Sequence, residues 1–340
     1  RRCSDGWGAC AGPARAGRAV DSRRPRDKVS TLPDAIARYV RPGSRVALEG
    51  FGHLVPMAAA HEIIRQRIAD LTICRMSCDM MIDQLLAAGC LRGLITSFLG
   101  NSSGGSLHEL RRALEGRSTV KVELQEFSHG GMIARYIAGA AGLPFYPIRS
   151  YDDGDLRQVN PLIASVTDPF SGDEICVVPA LRPDVSVVHA QRADRAGNVQ
   201  AWGILGVQQE VAFAGKAVIV TVEEIVDDAV IRADPNRTII PAQIVSAVVP
   251  CPGGAYPCSV QGFYDRDDAF FRRWSENARD EQAVPKWLRD NVYELPDHAA
   301  YLQRIGAALD RLRVVPAPSG SVDYGSRQPV SAAGPGLVVS

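Results

Sequence analysis

Two glutamates, a histidine and the short loops beside them hold most of the chemistry available to this chain. Residues 44–56 read S-R-V-A-L-E-G-F-G-H-L-V-P. Val46-Ala47-Leu48 is apolar enough for a buried strand, the strand breaks at Gly50-Phe51-Gly52, and Pro56 opens a helical pattern. A strand running into a glycine-flanked loop and then a helix lies where open α/β sheets bind ligands, at strand carboxyl ends. The glycines let backbone N–H groups approach a ligand closely, and such donors suit an oxyanion or a phosphate. The spacing is not G-x-G-x-x-G, so a dinucleotide fingerprint is not supported.

Glu49 ends this strand, and Glu126 ends another just before Ser128-His129-Gly130-Gly131. A carboxylate at a strand terminus is a candidate nucleophile or base. The plainer reading, favoured for both, is that the side chain turns outward or caps the next helix. His129 lies on the same predicted edge, where it could donate to a developing oxyanion or simply pack. Gly130 and Gly131 open the following helix. Gly100-Asn101-Ser102-Ser103-Gly104-Gly105 is a third loop on this edge. Asn101, Ser102 and Ser103 either contact substrate or cap the helix that starts near Leu107.

Other chemistries lack support. No G-x-S-x-G elbow is present, which argues against an α/β-hydrolase triad. The eight cysteines, at 3, 10, 74, 78, 90, 176, 251 and 258, form no C-x-x-C pair and no zinc spacing with histidine. They read as ordinary reduced cytosolic thiols. Glu223-Glu224-Ile225-Val226-Asp227-Asp228 lacks EF-hand spacing and reads as a solvated strand end and turn. His53 is a weak candidate, and His189 lies inside a predicted strand, packed or paired.

The elements that must position these residues alternate along the chain. Thr31 caps a helix with Asp34 in its first turn. Strands are expected at 46–48, 71–75, 94–98 and 120–124, with helices at 58–68, 80–88, 107–114 and 132–141 between and after them. This alternation implies βαβ units in an open, mostly parallel sheet with helices on both faces. The second half carries strands at 175–178, 185–190, 199–202, 217–222 and 244–249, with a short helix at 208–214. Arg195-Ala196-Gly197-Asn198 is a turn signal consistent with an antiparallel hairpin. Residues 263–305 are polar, aromatic and mostly helical.

Lys and Arg total 38 and Asp and Glu total 38, so no net charge points to nucleic acid or an anionic membrane. No stretch approaches the roughly 18 apolar residues of a spanning helix. Residues 29–315 are read as one domain. Residues 1–28, rich in Arg, Gly and Ala, read as a disordered extension or as sequence upstream of the true start. Residues 316–340, rich in Pro, Gly and Ser, read as a disordered tail.

The 44–56 segment resembles the first signature of the family I CoA-transferases, in which a strand leads into Gly-Gly-Phe and ends at Pro. Glu49 stands where the first of those glycines usually sits. The resemblance continues through Gly142-Leu143-Pro144, His189-Ala190-Gln191, Ala193-Asp194 with Gly197-Asn198, Ala201–Gln208 (A-W-G-I-L-G-V-Q) and Thr221–Asp228 (T-V-E-E-I-V-D-D). It covers about residues 29–310 and is most similar to A-type chains of the glutaconate CoA-transferase branch, particularly those acting on 3-oxoadipate. The resemblance implies a cytoplasmic hetero-oligomer with a B subunit, of A2B2 composition or larger. It implies coenzyme A as substrate and no bound cofactor or metal. CoA would move between an acyl-CoA such as succinyl-CoA and a dicarboxylic or 3-oxo acid.

In this family the attacking glutamate belongs to the B subunit, in a Ser-Glu-Asn-Gly type motif that this chain lacks. The resemblance therefore implies a shared site, with a minority reading in which Glu49 attacks instead. His129 falls where many relatives have a glutamine implicated in oxyanion support. Gly50, Phe51, Gly52, Asn101, Ser102, Ser103 and Gly130 would contact CoA or substrate. Gly254-Ala255-Tyr256-Pro257-Cys258 departs from G-A/S-H-P-S. Two rival functions remain, a subunit of a ring-opening CoA-ester hydrolase and a non-catalytic CoA-binding or scaffold subunit.

Overall fold

The computed structural model describes residues 27–101 and 105–314. The first half is a run of βαβ units. Helix α1 (Leu32–Tyr39) starts at Thr31, whose Oγ1 accepts from the Asp34 amide at 3.2 Å. Strand β1 (Arg45–Glu49), helix α2 (Met57–Arg65), β2 (Leu71–Cys74), α3 (Met80–Ala87), β3 (Leu91–Thr96), α4 (His108–Leu114) and β4 (Glu123–Glu126) follow. Helix α5 (His129–Ala140) then begins three residues earlier than its apolar pattern predicts, because the Ser128 hydroxyl accepts from the Gly131 amide at 3.0 Å.

A small antiparallel sheet comes next, with β5 (Phe145–Pro147), α6 (Leu156–Val159), β6 (Ala164–Thr167) and β7 (Glu174–Pro179) in the strand order β5-β7-β6. The 175–178 strand therefore lies outside the main sheet. The chain returns through β8 (Val185–Asp194), β9 (Val199–Gln200), α7 (Gln208–Ala214), β10 (Ala217–Val226), α8 (Asp228–Ala233), β11 (Thr238–Ile240) and β12 (Ala247–Pro250). Helices α9 (Asp268–Asn277), α10 (Ala283–Leu288) and α11 (His298–Leu312) complete the described chain.

Seven strands form a parallel sheet in the order β12-β10-β8-β1-β2-β3-β4. The predicted hairpin exists, since β9 pairs antiparallel with the far end of β8 and β11 with β9. From β1 the strand order climbs one way through β2, β3 and β4, and from β8 it climbs the other way through β10 and β12. The reversal falls between β1 and β8, and open α/β sheets bind ligands at such a switch point. Helices α1, α2, α3 and α4 pack in succession, with α10 against α3 and α11 against α2, while α5 packs against α7. One continuous core of aliphatic side chains fills the space between sheet and helices.

Asp27 and Lys28 belong to the segment expected to be disordered, yet the Lys28 amide donates to the Arg195 carbonyl and Arg195 pairs with Asp27 at 2.5 Å. The rest of that expectation, and nearly all of the expected tail, lie outside the described residues. The six described cysteines are buried and unpaired by disulfide. Among the described residues no helix is long and apolar enough to cross a membrane, and no group of three or more His, Cys, Asp or Glu side chains could hold a metal ion.

Candidate active site

The carboxyl ends of β1, β3 and β4 bring three rings together. Phe51, just past β1, meets His129 edge-on with ring centroids 6.0 Å apart, and Phe98, just past β3, meets the same imidazole at 6.5 Å. Both phenylalanines are unusually open for their type, 44% and 45% exposed. Ile204 and Leu205 are also exposed, on the segment that reaches this rim at Gly206, where an added Cβ would stand 3.4 Å from Phe51 Cβ. Such an open patch at a switch point suits a ligand or a covering chain. His129 is the first residue of α5, half-buried, with Gly130 exposed beside it. Gly131 is fixed by packing, because a Cβ there would stand 1.8 Å from the Tyr151 hydroxyl oxygen.

The Phe51 loop is held firmly. A Cβ on Gly50 would lie 2.6 Å from the Leu54 carbonyl oxygen, so only glycine lets the chain fold back here. Gly52 then takes φ +66°. The Leu54 amide donates to Ser259 O at 3.0 Å, and His53 joins two further segments: Nε2 accepts from the Gln261 amide at 2.9 Å, and Nδ1 lies 3.0 Å from Ile204 O. Burial pushes His53 down to about 4, keeping the ring neutral and able to bridge these groups.

Behind the 251–264 segment, Glu223 contradicts the solvated turn expected of it. It is buried, meeting His189 Nε2 at 2.8 Å and accepting from the Tyr264 hydroxyl at 2.8 Å and the Gly253 amide at 2.8 Å. His189 is paired as expected, its Nδ1 lying 2.8 Å from Thr221 Oγ1. Glu224, Asp227 and Asp228 are the members of that run that do face solvent. In the departing 254–258 loop, the Tyr256 hydroxyl donates to Asp267 at 2.6 Å and Cys258 is buried.

Glu49 likewise neither turns outward nor caps α2. It is 1% exposed, and its Oε1 accepts from the Tyr136 hydroxyl at 2.8 Å and the Met76 amide at 2.8 Å. Beside it, fully buried Arg75 donates to Leu48 O at 2.6 Å and pairs with Asp79 at 2.5 Å. Asp79 in turn caps α3 through the Met81 amide. Burial raises the Glu49 carboxyl to about 7, with the Arg75 charge and the Tyr136 hydrogen bond drawing it back down. Sequence reasoning missed Arg75, Asp79 and Tyr136, although a charged pair four residues apart straight after a buried strand was a visible signal.

A carboxyl raised in the folded state binds more protons there than in the unfolded chain between the two values. Its contribution to stability is therefore fully present below its ordinary 4.5 and is lost as pH rises through about 7. Glu49→Gln should remove that downward slope between roughly pH 4.5 and 7. Chemical denaturation across pH, read as the difference between variant and parent, checks it. Asp83, raised to about 7 by the same burial, contributes equally to both proteins and cancels.

Glu126 is exposed, but it lines a separate hollow of about 470 Å³ with Leu124, Leu156 and Val159. Asn101 is buried, and neither its Oδ1 nor its Nδ2 has a partner among the described residues. It does not cap α4, which starts at His108 behind Leu107 without a side-chain cap. Ser102 and Ser103 lie outside the described residues. The edge thus unites Gly50, Phe51, Gly52, His129 and Gly130, while Glu49 is withdrawn beneath them.

Residues 29–250 match the family model described as Coenzyme A transferase. The chain is 46% identical over 275 residues to the A chain of 3-oxoadipate CoA-transferase of Pseudomonas knackmussii, covering 81% of this chain and 97% of that protein. It is 34% identical to the A chain of glutaconate CoA-transferase of Acidaminococcus fermentans, covering 87% and 98%. The crystal structure of glutaconate coenzyme A-transferase from A. fermentans superposes with a TM-score of 0.79 at 33% identity, covering 88% and 98%. A variant of the decarboxylase AibA/AibB gives 0.66 at 30% identity, covering 77% and 98%.

Proposed function

The chain belongs to the coenzyme A transferase family, as the A-type member of a two-chain enzyme, and from that premise we propose that it moves CoA between succinyl-CoA and 3-oxoadipate together with a B subunit. The attacking carboxylate would come from that partner, and this chain would supply one wall and one donor. What carries the reading is the fate of the two glutamates at the strand ends. Glu49 is sealed under the loop by two donors on one oxygen, and Glu126 faces a different hollow. The remaining edge offers an imidazole and an apolar rim, which suits a site completed by another chain.

Attack of a carboxylate on a thioester places negative charge on the carbonyl oxygen, and His129 is set to donate to it. Phe51 and Phe98 flank that imidazole and would exclude water once the partner covers them. Contacts to the distant parts of CoA would supply binding energy that is expressed as the barrier is crossed. Collapse expels the CoA thiolate and leaves an acyl-glutamyl anhydride. The thiolate then attacks the glutamyl carbonyl, releasing the first acid as its carboxylate and leaving a glutamyl-CoA thioester on the partner. The carboxylate of the second acid opens that thioester by the same two steps in reverse, leaving as the new acyl-CoA and freeing the glutamate.

Co-expression with the neighbouring B-type gene should yield CoA exchange between succinyl-CoA and 3-oxoadipate, with neither chain active by itself. Hydroxylamine or borohydride trapping, followed by mass spectrometry of both chains, should mark a glutamate of the partner. Full activity from this chain alone, or a mark on Glu49 or Glu126, would overturn the reading.

A further inference from the structure

We propose that Glu49 and Tyr136 form a strut that fixes the Gly50–Gly52 loop in register with the His129 end of α5, making both of them positioning residues; this rests on the role given to His129 above. Glu49 is the last residue of β1 and leads directly into Gly50. Tyr136 lies seven residues after His129 on the same helix. Seven residues are about two turns, so both side chains leave α5 on nearly the same face. The bond from the Tyr136 hydroxyl to Glu49 Oε1 therefore ties the helix that carries the donor to the strand that carries Phe51.

The other hydrogen bonds of these two pieces run elsewhere. Those of the loop go to Ile204, Ser259 and Gln261. Ser128, which caps α5, bonds Tyr151; the Arg135 guanidinium donates to Pro179 O, and the Arg135 carbonyl accepts from the Leu181 amide. Beneath the 6.0 Å contact between the Phe51 and His129 rings, the strut joins the end of β1 directly to α5. The strut is rigid: Glu49 and Tyr136 are buried, and the Met76 amide holds the same carboxyl oxygen from the β2 side. Arg75, Asp79, Cys74, Cys78 and Arg135 are the other titratable groups around the pair. Neither Glu49 nor Tyr136 reaches solvent, so neither touches substrate, and both act through the groups they hold.

A donor shifted by about 1 Å loses much of its effect on a transition state. Tyr136→Phe, which keeps the ring and deletes only the hydroxyl, should lower kcat of the assembled two-chain enzyme roughly 10- to 100-fold with KM little changed. Glu49→Ala should do the same, and Glu49→Gln, which keeps an acceptor for both donors, should retain more activity than Glu49→Ala. The decisive comparison is the double variant. If the strut acts through His129, then Tyr136→Phe combined with His129→Ala should be no slower than His129→Ala alone.

Multiplied losses in that double variant, or full kcat in Tyr136→Phe, would overturn the strut. A silent His129→Ala would instead overturn the reading beneath it, so the two failures are distinguishable. Should Glu49→Ala not fold, Tyr136→Phe still decides, with a melting temperature near the parent's as its control.

Discussion

His129→Ala in the assembled enzyme should lower kcat by roughly 100- to 1,000-fold while KM for the acyl-CoA changes little. The magnitude is that of deleting one positioned donor at an oxyanion, about 3–4 kcal/mol of transition-state stabilisation. The split between kcat and KM follows because the charge to be stabilised is absent from the ground-state thioester. His129→Gln should recover most of the loss, since the amide can donate from a similar reach and α5 is unchanged behind it. The Phe51 and Phe98 rings flank His129, so the substitution leaves a gap at the rim and disturbs no hydrogen bond of the loop. Steady-state kinetics of wild type, His129→Ala and His129→Gln with the same partner chain provide the check. A His129→Ala enzyme within threefold of wild type would remove the imidazole from the chemistry.

That His129 and Phe51 belong together was readable because each follows a strand, and parallel strands gather their carboxyl ends on one edge. The helix α7 was readable to its residue limits, and so was the cap at Thr31, because both depend on local signals. Long-range partners were not. Glu49 looked exposed or capping because the Met76 amide and the Tyr136 hydroxyl that hold it inside lie 27 and 87 residues away. Glu223 looked solvated inside an acidic run, yet its partners His189 and Tyr264 are 34 and 41 residues distant.

Edge strands failed for a related reason. Val120 and Val122 drew the fourth strand too early, and its true span is fixed by pairing of Glu123–Glu126 with Gly93–Thr96. Strand β6 is exposed throughout, and its alternation of Ala164 and Val166 with Ser165 and Thr167 is only four residues long, too brief to stand out. The switch point itself became visible only when β8 was seen beside β1, because their pairing joins residues well over a hundred positions apart.

Arg75→Leu should destabilise the chain by about 3–5 kcal/mol, the cost of leaving one member of a buried ion pair uncompensated. The substitution strips Asp79 of its partner in a site where both side chains are almost wholly buried, and it orphans the Leu48 carbonyl. Asp79 cannot simply withdraw, because its other oxygen caps α3 through the Met81 amide at 3.0 Å. Arg75→Leu with Asp79→Asn should recover much of the loss, since the amide keeps the cap and carries no charge. Urea denaturation of the three proteins measures this, and a single variant as stable as wild type would show that the pair contributes nothing. The pH dependence supplies a second reading of the same change. Arg75 is the leading influence holding the Glu49 carboxyl down against its burial. Without that charge the Glu49 carboxyl stays protonated to higher pH. The loss of stability that ends near pH 7 in wild type should then continue into the alkaline range. Because Glu49 leads directly into Gly50, the site loop in Arg75→Leu should respond to pH over that same displaced interval.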